Sequence, residues 1–117
     1  MRFEPAQIEA FAARLADARA AKGWTRQQVV DAVDGVSEPQ QIYNYEQGRR
    51  APERADVVMA LERALDLPAG ALCRHLGFGP VDEQLAPAEV ADAIAADPRL
   101  SLDAKRQLLS AYRRLTR

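Results

Sequence analysis

Apolar side chains recur at three- and four-residue spacing along most of this 117-residue chain, the period of helices buried on one side. Ile8, Phe11, Ala12, Leu15 and Ala18 form one such stripe and predict a first helix over about Pro5–Lys22. Glu4 and Glu9 sit near its start and Lys22-Gly23 at its end, as the helix dipole and a glycine stop require. Trp24 comes next as a core plug. Thr25, with Gln28 three residues on, caps a short helix over Arg26–Val33 that turns Val29, Val30 and Val33 inward. Asp34-Gly35 makes the next turn. Ser37 is the expected cap of a third helix, Glu38–Gln47, with Gln40 three residues later, Pro39 in its first turn and Gly48 as its stop. Ile42 and Tyr45 face inward there, leaving Gln40, Gln41, Tyr43, Asn44 and Gln47 outside.

After Pro52, a fourth helix over Arg54–Leu65 buries Val57, Val58, Leu61, Ala64 and Leu65. A fifth over Pro68–Leu76 carries Leu72 and Leu76 and stops at Gly77. Two prolines and a glycine mark residues 78–87 as a linker. Two helices remain, Pro87–Ala96 with Val90 and Ile94, and Leu102–Leu115 with Leu108, Leu109, Tyr112 and Leu115. Ser101 caps the last, and Asp97-Pro98 is the turn between them. Composition agrees: alanine occurs 23 times and threonine twice, so helix formers dominate and strand formers are sparse. An all-α protein is expected.

Sixteen basic and 17 acidic residues leave a net charge of -1, so bulk attraction cannot hold this chain to nucleic acid or to an anionic membrane. No apolar run suggests a membrane span, and no basic-then-apolar leader begins the chain, so a cytoplasmic protein is the expectation. One cysteine and one histidine exclude a disulfide framework and a zinc site built from several Cys and His. Cys73 and His75, two apart on a predicted helix, point to different faces and form no nucleophile–base pair. Neither an enzymatic constellation, a cofactor, a metal site nor a small-molecule ligand is expected.

Two short helices joined by a turn, the second rich in amides, suggest a helix-turn-helix. A helix fits the major groove of double-stranded DNA, and Gln or Asn pairs with adenine N6 and N7. Gln40, Gln41 and Asn44 share one flank near the helix start, and Arg49 and Arg50 lie just past its end within reach of phosphate. The bland alternatives are a solvated amide face and ordinary surface arginines. Tyr43 either stacks on sugar-phosphate or covers the core edge, and Glu46 reads as an ion-pair partner or helix-end acceptor rather than a base contact. Along residues 37–54, Arg49, Arg50 and Arg54 balance Glu38, Glu46 and Glu53, so phosphate affinity has to come from placement.

The stretch Phe11–Leu76 resembles the lambda-repressor-like (XRE-type) helix-turn-helix family. The likeness lies in RLADARAAKGWTRQQVV, VSEPQQIYNYEQGRRAP and ALERALDLPAGAL. It is most specific in Tyr45-Glu46-Gln47-Gly48-Arg49-Arg50-Ala51-Pro52, which is similar to the family's apolar-Glu-x-Gly-Arg-Arg-x-Pro signature. The resemblance implies a five-helix DNA-binding domain over residues 1–77 whose third helix reads the major groove. It puts Gln40, Gln41 and Asn44 among the base readers and Thr25 near phosphate at the start of the second helix; Arg26, Tyr43, Arg49 and Arg50 complete the expected backbone contacts. Three departures stand out: Arg26 where the family usually has Gln, Val30 where it favours a small residue, and a turn about two residues longer than the usual pattern. Residues 88–117 form a C-terminal helical hairpin, and Ala88–Leu115 is similar to extensions on some short regulators of the family. Its Leu108, Leu109, Tyr112 and Leu115 either build a homodimer or pack on the chain's own first and fifth helices. The expected function is a sequence-specific transcriptional regulator acting by operator occupancy; the alternative is an adaptor or antitoxin-like interaction module on the same fold.

Overall fold

Prolines and glycines set several of the helix boundaries, and some helices are shorter than their predicted spans. The computed structural model describes residues 3–78 and 90–116. These form seven α-helices and, among the described residues, no strand. Helix α1 (Pro5–Lys22) has Pro5 in its first turn, and the Glu4 N–H donates to Gln7 Oε1 at 2.8 Å. It ends at Gly23, whose φ of 69° lets the Gly23 and Trp24 N–H groups close onto the Ala20 and Arg19 carbonyls. Helix α2 (Arg26–Ala32) has the predicted Thr25–Gln28 box: the Gln28 N–H donates to Thr25 Oγ1 at 3.2 Å and the Thr25 N–H to Gln28 Oε1 at 2.7 Å. It stops one residue early, at extended Val33.

Helix α3 (Pro39–Glu46) is capped by Glu38 and not by Ser37. Glu38 precedes a proline, whose ring excludes the helical conformation from the residue before it, and Glu38 is extended at φ −141°. The closing amide is therefore Gln41 rather than Gln40: the N–H groups of Ser37 and Glu38 donate to Gln41 Oε1 at 2.7 and 3.0 Å. Helix α4 (Ala55–Ala64) is trimmed by one residue at each end. Helix α5 (Cys73–Leu76) is far shorter than predicted. Gly70 at φ 91° breaks the run from Pro68. The buried Glu62 carboxylate of α4 then caps the short helix, accepting from the Leu72 and Cys73 N–H groups at 2.8 and 2.9 Å.

Helices α6 (Val90–Ala96) and α7 (Leu102–Leu115) form the C-terminal hairpin, with Ser101 Oγ accepting from the Ala104 N–H at 3.1 Å. The predicted linker, beyond Phe78, lies outside the described residues, as does the predicted start of the sixth helix before Val90.

Helix α1 is buried on two faces. Phe11, Leu15 and Ala18 join Val29, Ile42, Tyr45, Val58, Leu61 and Leu72 in the main core. On the other face Ala10 and Ala13 meet Ala95 and Leu109 in a second cluster. Leu109 is thus covered by its own chain at 2% exposure, which removes it from the predicted dimerisation stripe. Tyr112 is half-buried, while Leu108 and Leu115 stand 44% and 85% exposed. Arg113 of α7 also pairs with Asp17 of α1, and that carboxyl is shifted upward because burial outweighs the nearby Arg113 and Arg14.

The longer turn between α2 and α3 is packed down on α4. Gly35 there has φ 95°, and a Cβ added to it would lie 2.9 Å from Val57 Cγ2. Gly35→Ala is expected to cost about 1–2 kcal/mol, combining the strain of positive φ with the displacement of Val57. Urea unfolding followed by circular dichroism checks it; an unchanged midpoint would show that the turn is not seated on α4.

Candidate nucleic-acid interface

The exposed side of α3 carries the predicted amides, and the structure gives them different roles. Gln40 and Asn44 are one turn apart and linked: Gln40 Nε2 donates to Asn44 Oδ1 at 3.2 Å. Gln41 faces the turn, its acceptor oxygen occupied by the Ser37 and Glu38 N–H groups and the Ser37 hydroxyl. Its NH2 group is the part it can offer a ligand.

Tyr43, half-buried on the same helix, gathers arginines from two other segments. The Arg26 guanidinium lies 5.1 Å from its ring centroid and that of Arg49 5.5 Å, within the range of cation–π attraction. Arg26 comes from the start of α2 and Arg49 from the loop after α3, so the ring joins both ends of the motif into one basic rim beside the amides. Arg50 is exposed next to Arg49. Thr25 is exposed at the start of α2 with its Oγ1 engaged by the Gln28 N–H.

Of the acids counted along residues 37–54, Glu46 is turned into the molecule while Glu38 and Glu53 stay exposed. Glu46 is 2% exposed. Its carboxylate accepts from Arg19 Nε and Nη2 at 2.5 and 3.0 Å and from Arg26 Nε at 3.1 Å. Arg19 Nη1 donates onward to the Trp24 carbonyl at 2.8 Å. The Glu46 charge is thus neutralised inside the molecule, tying α3 to α1 and α2 in the ion-pair role expected of that residue. Its main partner has no signature in the sequence: Arg19 lies 27 positions before Glu46, and no local pattern connects the two.

Other chemistry is sparse. Burial and the adjacent Glu62 push the Cys73 thiol up to about 11, so at neutral pH it stays protonated and is a poor nucleophile. His75 is buried on the same short helix. Among the described residues no group of three or more His, Cys, Asp or Glu could hold a metal ion, and no helix is long and apolar enough to cross a membrane.

Comparison with known proteins adds one finding to this geometry. No curated protein and no solved structure matches the chain. Residues 10–76, more than half its length, match the model of a family described as a helix-turn-helix domain. That span takes in the two short helices, the turn seated on α4 and the α1 and α4–α5 segments that pack behind them. The chain belongs to the helix-turn-helix domain family, a family of DNA-binding regulators.

Proposed function

We propose that this protein is a sequence-specific transcriptional regulator that acts by occupying an operator, with α3 in the major groove of double-stranded DNA. The linked pair Gln40–Asn44 carries this reading. Their mutual hydrogen bond uses a Gln40 N–H and the Asn44 oxygen. Gln40 Oε1 remains as an acceptor and Asn44 Nδ2 as a donor, the complement of adenine N6–H and N7. Gln41, its oxygen held by the turn, can donate to a base acceptor. Arg26 and Arg49 around Tyr43, with the exposed Arg50 after Arg49, supply phosphate contacts, and Thr25 lies at the start of α2 where the backbone would pass.

Selection of bound duplexes from a random pool tests the proposal directly. Enrichment of one sequence is expected; no enrichment would leave an interaction module on the same fold as the better reading. Half-sites about 10 base pairs apart would report a homodimer on the DNA, for which Leu108 and Leu115 of α7 are the exposed apolar positions. The paired change Arg49→Ala with Arg50→Ala should weaken binding to selected and unselected duplexes alike. It should also flatten the salt dependence by roughly one unit of logarithmic slope for each phosphate no longer neutralised. An unchanged slope would show that neither arginine meets the backbone.

A further inference from the structure

We infer that the C-terminal hairpin is a positioning element for the DNA-reading helix, acting through Arg106 on the carbonyl of Glu46 and Leu102 against Gly48. The inference rests on α3 being that helix. It concerns residues outside the matched span 10–76.

The last carbonyls of a helix have no partner within it and must find one elsewhere. At the end of α3 most are served locally. The N–H groups of Gln47, Gly48 and Arg49 donate to the carbonyls of Tyr43, Tyr45 and Asn44, a closure that Gly48 permits with φ 73°. The Glu46 carbonyl takes its donor from 60 residues away, Nη2 of Arg106 on α7. A cation at a helix C-terminus also meets the negative end of the helix dipole. Two residues later the chain touches α7 again: a Cβ added to Gly48 would lie 3.3 Å from Leu102 Cδ2. Leu102 and Arg106 are four apart, on one face of α7, so a single surface addresses the end of α3 at two points.

That surface is itself anchored. Leu109 is buried with Ala10 and Ala13 of α1, and Arg113 pairs with Asp17. The end of α3 is therefore fixed from three directions: Arg19 of α1 and Arg26 of α2 on the Glu46 carboxylate, and Arg106 of α7 on the Glu46 carbonyl. Asn44 lies within one turn of that point. Holding a reading helix in its working pose before DNA arrives removes an ordering cost from binding.

Arg106→Ala, Arg106→Lys and Leu102→Ala in the full chain test this, with amide hydrogen exchange measured without DNA and affinity measured on the selected duplex. In Arg106→Ala, exchange at Gly48 and Arg49 should accelerate about tenfold, as for loss of one charge-assisted hydrogen bond. Amides in the middle of α1 should keep their rates. Affinity for the selected duplex should fall by a similar factor while that for unselected DNA changes little. Arg106→Lys keeps a donor and should retain most of both. Unchanged exchange at Gly48 and Arg49 in Arg106→Ala and Leu102→Ala would overturn the contact. Faster exchange with undiminished selected affinity would overturn its positioning role, as would acceleration spread evenly over all helices. If the unaltered chain selects no duplex, the DNA-reading assignment falls instead, and the exchange data alone still decide whether α7 holds the end of α3.

Discussion

Arg19→Ala is expected to cost about 3–5 kcal/mol of folding stability, the range for removing one partner of a buried ion pair. The asymmetry of the site sets this figure. Glu46 is 2% exposed and cannot regain water, whereas the side chain of Arg19 is 21% exposed and that of Arg26 36%. Loss of Arg19 leaves the carboxylate buried with only the outer arginine, and also frees the Trp24 carbonyl from its donor. Arg26→Ala leaves the Arg19 bidentate contact intact and should cost no more than about 1 kcal/mol, as for an exposed pair. Against a typical total of about 5–15 kcal/mol for a domain, the first variant loses a large share of its stability and the second does not. Urea denaturation of the two side by side is the measurement. Equal losses would mean that the two arginines balance the buried charge alike, and a larger loss in Arg26→Ala that the outer arginine is the main partner.

The second large effect concerns DNA. Asn44→Ala is expected to lose about 1–3 kcal/mol on the selected duplex, the worth of one good bidentate base contact. On unselected duplexes the loss should be small, because phosphate contacts do not depend on it. Gln40→Ala should lose a comparable amount, and the double variant less than the sum, since the two amides hold each other in place. Gln41→Ala should behave differently. Its oxygen serves the Ser37 and Glu38 N–H groups, so part of its cost should appear as reduced stability without DNA. Titration of labelled duplexes, with thermal unfolding of each variant, separates the two kinds of loss. Equal weakening on selected and unselected DNA by Asn44→Ala would remove it from the set of base readers.

The main features of the fold are legible from local rules. Apolar stripes give the number and order of helices, and the Thr25–Gln28 box fixes the start of α2. Differences arise where two local rules compete or where the deciding partner is remote. Ser37 satisfies the rule for a cap, but Pro39 forces Glu38 out of the helix, and the proline prevails because its constraint is steric. The fifth helix is shorter than its helical apolar spacing suggests, because Gly70 and the distant Glu62 decide where it begins. Helix α1 shows one apolar stripe in the sequence but two buried faces in the fold. The second face consists of Ala10 and Ala13, residues too small to register as an apolar stripe but small enough to admit another helix. Within the site, the composition of residues 37–54 suggests neutrality, since a linear count cannot show that Glu46 is turned inward. Arg106 is out of reach of any local rule.

Ala10 and Ala13 also have a consequence for how this surface can be tuned. Both methyl groups lie between α1 and the hairpin, at 4% and 1% exposure, and act as a shim whose thickness sets the gap. Enlarging one of them, as in Ala13→Val, would push α7 outward by a fraction of an ångström. Core groups this tightly packed transmit such shifts instead of absorbing them. The displacement would reach Leu102 and Arg106, and through them the end of α3. The separation of two helices remote from the amide face is thus an adjustable dimension of the proposed DNA-reading surface, open to variation without altering any residue of that surface.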